Sequence, residues 1–70
     1  MNDQDFVPYI RSYALAHYDQ GGWDYVVEAW SDSDIMSYLK EANGNAIIAF
    51  VRIRAAINAV NEYETEIRNA

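Results

Sequence analysis

Between Asp19 and Asp34 the chain places five carboxylates, Asp19, Asp24, Glu28, Asp32 and Asp34, with no lysine or arginine among them and with Trp23, Tyr25 and Trp30 interleaved. Carboxylates at such spacings suit three kinds of chemistry. A pair can divide acid and base roles, a cluster can ligate a hard cation, and a row can imitate the spaced phosphates of a nucleic acid. Acid–base work needs a concave site that perturbs a pKa, and a 70-residue chain leaves little room for one beside its core. An EF-hand calcium loop fails on spacing. Asp32-Ser33-Asp34 imitates the opening of an EF-hand loop, but the sixth position is Ser37 instead of glycine and the twelfth is Asn43 instead of glutamate. Phosphate mimicry survives this comparison, because Lys and Arg side chains that hold phosphates also accept carboxylates through charge-assisted hydrogen bonds. Asp24, Tyr25, Glu28, Asp32 and Asp34 are therefore the candidate partner-binding residues, set against a plainer reading as a solvated face with helix-cap acids.

The other chemistry-bearing residues are sparse. There is no cysteine, which removes disulfides, thiolate metal sites and thiol nucleophiles together. His17 is the single histidine, suited to pairing with Asp19 or to capping a helix end. Ser12, Ser31, Ser33 and Ser37 lack the context of a nucleophile elbow. Arg52 and Arg54, two residues apart on a helix, point in different directions, either as snorkelling and pairing side chains or as anchors of an interface. The reading is a non-enzyme, with no catalytic residue, metal or cofactor.

Eleven acids against five bases give a net charge of −6, which argues against direct binding of DNA, RNA or an anionic membrane. No apolar run reaches the ~20 residues of a membrane span, and Met1-Asn2-Asp3-Gln4-Asp5 lacks the basic and apolar regions of a signal peptide. A soluble protein of the cytoplasm is expected.

Four helices must position these residues. Asp5 as N-cap and Pro8 in the first turn open a helix over 5 to 18, with Phe6, Ile10, Tyr13, Ala14 and His17 at helical spacing. Gly21-Gly22 ends it. Trp23, Val26, Val27 and Trp30 form one face of a helix over 23 to 30, although the same residues carry strong β-propensity and a strand stays open there. Ser31 with Asp34 resembles a capping box and starts a helix over 32 to 42, with Ile35, Met36, Leu39 and Ala42 inward and Asn43-Gly44 as its stop. The longest helix, 45 to 68, carries Ala46, Phe50, Ile53, Ile57, Val60 and Ile67 on a near-heptad stripe broken by Glu64. Its first half also holds Ile47, Ile48, Val51 and Ala55, so it is expected to be buried centrally. Two Trp, six Tyr and two Phe predict an aromatic-rich core. The expected fold is all-α, a small single domain of four helices with a long central C-terminal helix. The helix pair about Asn43-Gly44 does not read as a DNA-binding helix-turn-helix, because its second helix offers two central arginines and then a run of acids.

Along Ala14-Leu15-Ala16-His17-Tyr18 and then Gly21-Gly22-Trp23-Asp24-Tyr25-Val26-Val27-Glu28-Ala29-Trp30-Ser31-Asp32, the sequence resembles small uncharacterised proteins encoded by tailed bacteriophages and their prophages. The resemblance covers about a third of the chain, and its motif carries no established chemistry, so it transfers no functional residue. What it implies is a setting in which small acidic proteins bind and block host machinery such as CRISPR–Cas effectors, restriction enzymes and RNA polymerase. The leading expectation is an inhibitor of a host protein with a basic nucleic-acid-binding surface. The alternative is an assembly module that forms a homodimer through its long helix.

Overall fold

The computed structural model describes the backbone of residues 3 to 69 and the side chains of that span other than Glu64, Thr65, Arg68 and Asn69. It is all-α: α1 (Asp3–Ala16), α2 (Trp23–Glu28), α3 (Asp32–Glu41) and α4 (Ala46–Asn69). α1 packs against α2 and α3, and α3 packs against α4. The segment 23 to 28 is helix, not strand, because Trp23 and Val26 are buried while Tyr25 and Glu28 face water. A strand would have alternated these environments residue by residue.

α1 starts two residues before the expected boundary, so Asp5 is a first-turn acid and not the N-cap, and Pro8 lies inside the helix. Asp3 and Asp5 both sit where the helix dipole favours negative charge. Pro8 supplies no N–H to the Gln4 carbonyl, a loss that exposed Gln4 can make good with water.

The Ser31 capping box is present in full. Ser31 Oγ accepts from the Asp34 N–H at 3.1 Å, and the Ser31 N–H donates to Asp34 Oδ2 at 2.8 Å. Replacing Ser31 with alanine leaves the Asp34 N–H without its side-chain acceptor and is expected to cost about 1 kcal/mol. Thermal unfolding followed at 222 nm should then show a midpoint about 4–8 °C lower. The far end of α3 closes in a Schellman turn. The Gly44 N–H reaches the Leu39 carbonyl at 2.9 Å and the Asn43 N–H reaches Lys40 at 3.1 Å, with Asn43 and Gly44 at φ 55° and 82°. Asn45 then caps α4, its Oδ1 accepting from the Ile48 N–H at 3.1 Å.

The buried core is Phe6, Ile10, Ala14, Trp23, Val26, Ile35, Leu39, Ala42, Ala49, Ile53 and Ile57. It is mainly aliphatic, contrary to the aromatic core expected from composition. Only Phe6 and Trp23 are aromatic within it, and the other rings form its rim. Tyr13 meets Trp23 edge-on at 4.8 Å and Phe50 at 5.0 Å, and Trp23 stacks on Phe50 at 6.3 Å. A tyrosine hydroxyl must reach a partner or water, so a thin domain places these rings half in and half out.

α4 spans about 36 Å at 1.5 Å per residue and sets the long dimension of a body measuring 42 × 21 × 17 Å. Three short helices cover one face of it, along Ala49, Ile53 and Ile57. Its first half is therefore not buried all round, as its composition suggests: Ile47 is 78% exposed, and Ile48 and Val51 are also exposed. Val60 and Ile67, which continue the heptad stripe, are exposed as well, and Glu64 lies outside the described side chains.

Candidate functional site

The acidic row is built around α2, a helix of only six residues. Such a helix cannot hold itself, since nucleation alone outweighs its few internal hydrogen bonds. Two devices fix it. At its start, Gly22 is the cap residue at φ 93°, and the glycine lies against α4, where a Cβ would come within 2.7 Å of Ile57 Cγ2. At its end, Arg11 of α1 reaches across. Its Nη1 donates to the Val26 carbonyl at 3.1 Å, and its Nη2 donates to the Trp30 carbonyl at 3.0 Å and to Asp32 Oδ1 at 2.6 Å. Nε adds a bond to the same Asp32 oxygen at 3.1 Å. One guanidinium thus caps the end of α2 and holds the first turn of α3, using the fork geometry that lysine lacks.

The five candidate residues divide into three environments. Asp24 and Glu28 lie on the α2 face toward Tyr18, whose hydroxyl donates to Glu28 Oε1. Asp24 and Tyr25 line an open groove with Tyr18, Asp19, Gly21, Gly22 and Asn61. Asp32 is exposed but ion-paired with Arg11, so its charge is partly offset. Asp34 spends one carboxylate oxygen on the α3 cap and borders a second groove with Trp30, Ser37, Tyr38 and Glu41, where the Trp30 and Tyr38 rings stack in parallel at 5.5 Å. The concentrated patch is therefore Asp19, Asp24 and Glu28 with Tyr18 and Tyr25.

Tyr18 sits against this patch. Its pKa is raised above the ordinary tyrosine value of 10.0, first by the hydrogen bond to Glu28, then by partial loss of hydration and by the charges of Glu28, Asp24 and Asp19. The neutral phenol is thus favoured in the folded state. The stability it contributes is fully present below pH 10 and is lost as pH rises through the higher folded-state pKa. Replacing Glu28 with glutamine is expected to move the Tyr18 titration back toward 10, as read by phenolate absorbance at 295 nm against a Tyr18→Phe control.

His17 has a structural role. Its Nδ1–H donates to the Tyr13 carbonyl at 2.9 Å, capping the end of α1, and its ring stacks on Tyr13 at 4.0 Å. Arg54 lies over the Phe50 ring at 5.9 Å. Among the described residues there is no group of three His, Cys, Asp or Glu placed to hold a metal ion, and no helix long and apolar enough to cross a membrane.

Arg11 went unnoticed in the sequence, although one signal was present. It is the sole lysine or arginine before Lys40, facing seven acids over the same stretch. Tyr18, the last residue of the helix expected over 5 to 18, lies two residues past the end of α1 as the neighbour of Glu28. No protein-family model matches the chain, and neither a curated protein nor a solved structure matches it.

Proposed function

We propose that the chain is a non-enzymatic binding protein that covers the basic nucleic-acid-binding surface of a host protein, such as a CRISPR–Cas effector, in the host cytoplasm. The clustering of carboxylates carries this reading: Asp19 and Asp24 line one groove with Tyr18 and Tyr25, and Glu28 accepts the Tyr18 hydroxyl. Asp24, Tyr25 and Glu28 form the contact, with Asp32 and Asp34 at its edge. The setting follows from the resemblance read in residues 14 to 18 and 21 to 32. Carboxylates held on a short rigid helix meet Lys and Arg side chains without first being ordered, which lowers the entropy cost of docking. Steering by net charge adds to the rate of encounter.

The experiment is capture from a nuclease-treated bacterial lysate, with an Asp24→Lys, Glu28→Lys variant as control. The expected result is a basic protein retained by the wild type only and released by salt and by its own nucleic acid. A partner retained equally by the variant, at low and high salt, excludes this patch as the contact.

A second reading, a module that associates with its own copy through α4, is favoured by the exposure of Tyr63 and Ile67, 65% and 57%, where no described residue covers the helix.

A further inference from the structure

The charges of α4 are ordered along its length. Arg52 and Arg54 fall in its first half with no acid, and Glu62, Glu64 and Glu66 fall in its second half, relieved only by Arg68. The helix dipole gives no reason for this order, since it favours acids at the start of a helix and bases at the end. Nor does burial supply one: beyond Ile57 every described side chain of α4 is exposed. A segment of this length with three glutamates is a marginal helix by itself, and apolar Tyr63 and Ile67 remain in water along it.

An antiparallel second copy accounts for the charge order and covers Tyr63. Arg52, Ala55, Ala59, Tyr63 and Glu66 recur at intervals of three, four, four and three residues and are all exposed. At 3.6 residues per turn they share one stripe about 80° wide, well to the side of the buried Ala49–Ile53–Ile57 face. A two-fold axis through Ala59 sets Arg52 against Glu66 of the second copy, Ala55 against its Tyr63, and Ala59 against its Ala59. The small alanines permit close approach, the tyrosine ring covers an alanine, and each end gains an Arg–Glu pair. Parallel pairing would instead set glutamates against glutamates.

We infer that α4 pairs with α4 of a second copy, antiparallel about Ala59, with Arg52 and Glu66 as the reciprocal charge contact. This rests on the self-association reading and specifies its register.

The test is sedimentation equilibrium of the full chain across a concentration series at low salt. The wild type should have twice the chain mass. Arg52→Glu alone and Glu66→Arg alone should each shift it to monomer, while the double variant with the charges exchanged should recover the dimer. Circular dichroism confirms that each variant is folded. Because the chain contains no cysteine, an Ala59→Cys variant should also cross-link to itself under mild oxidation, and Asn58→Cys, on the opposite flank, should not. A monomeric wild type overturns both the register and the self-association reading. A dimer indifferent to the charge reversals overturns the register alone.

Discussion

Gly22→Ala should destabilise the domain by about 2–5 kcal/mol, a large share of what so small a fold possesses. Two costs add. The residue sits at φ 93°, where an L side chain costs roughly 1–2 kcal/mol. Its new Cβ would also lie 2.7 Å from Ile57 Cγ2 and 3.2 Å from the Ile57 carbonyl oxygen. The methyl group cannot simply rotate away, because Ile57 is itself buried in the core, and overpacking of this kind costs roughly 1–3 kcal/mol. Gly44→Ala is the control that separates the two. Gly44 has φ 82° and nothing within 4 Å of where a Cβ would stand, so it should carry the backbone cost alone. Urea unfolding of both variants gives the comparison. Equal losses would mean that α4 yields freely at Ile57, and that the Gly21–Gly22 turn does not lock α2 in place.

The second large effect belongs to Arg11→Ala, expected to cost about 2–3 kcal/mol. Hydrogen bonds from a charged donor are worth roughly 1.5–3 kcal/mol, and Arg11 supplies two of the carbonyl partners that the end of α2 otherwise lacks. The ion pair with Asp32 adds little, since the Asp32 side chain is 74% exposed and solvent screens it. Asp32→Asn should therefore cost less than about 1 kcal/mol. Arg11→Lys should behave more like alanine than like arginine, because one ammonium cannot reach both carbonyls and the carboxylate in the same geometry. Amide hydrogen exchange localises the effect. Faster exchange confined to the end of α2 and the start of α3 is the expected pattern, and a loss spread evenly through the core would show that Arg11 acts by packing instead.

Gly22 is legible from the sequence as a helix stop, whereas the role of Arg11 is not. The elements themselves were legible because their signals are local. The Ser31–Asp34 box, the Asn43-Gly44 stop and the 3.6-residue spacing of Phe6, Ile10 and Ala14 each lie within a few residues of what they determine. Arg11 acts on carbonyls 15 and 19 residues away, and a capping role at that distance leaves no periodic trace. The burial of α4 was overestimated for a similar reason. Apolar content shows that a surface is available to be covered, whereas how much is covered depends on the combined reach of three short partners. Of the candidate site, four positions were legible as carboxylates and Tyr25 as an aromatic among them. Their division into a patch at Tyr18, an ion pair at Arg11 and a helix cap at Ser31 depended on the tertiary arrangement alone.

The Asn43-Gly44 turn has a consequence for the chemical lifetime of the protein. Asn-Gly pairs age by attack of the glycine backbone nitrogen on the asparagine side-chain carbonyl, which closes a succinimide, expels ammonia and then hydrolyses to aspartate or isoaspartate. Here the Gly44 N–H is committed to the Leu39 carbonyl at 2.9 Å, and the left-handed geometry of Asn43 is pinned by the turn on both sides. Ring closure has to break that hydrogen bond first. The folded chain therefore protects its most age-prone dipeptide with the same bond that ends α3, and the dipeptide ages only in proportion to the time that turn spends open.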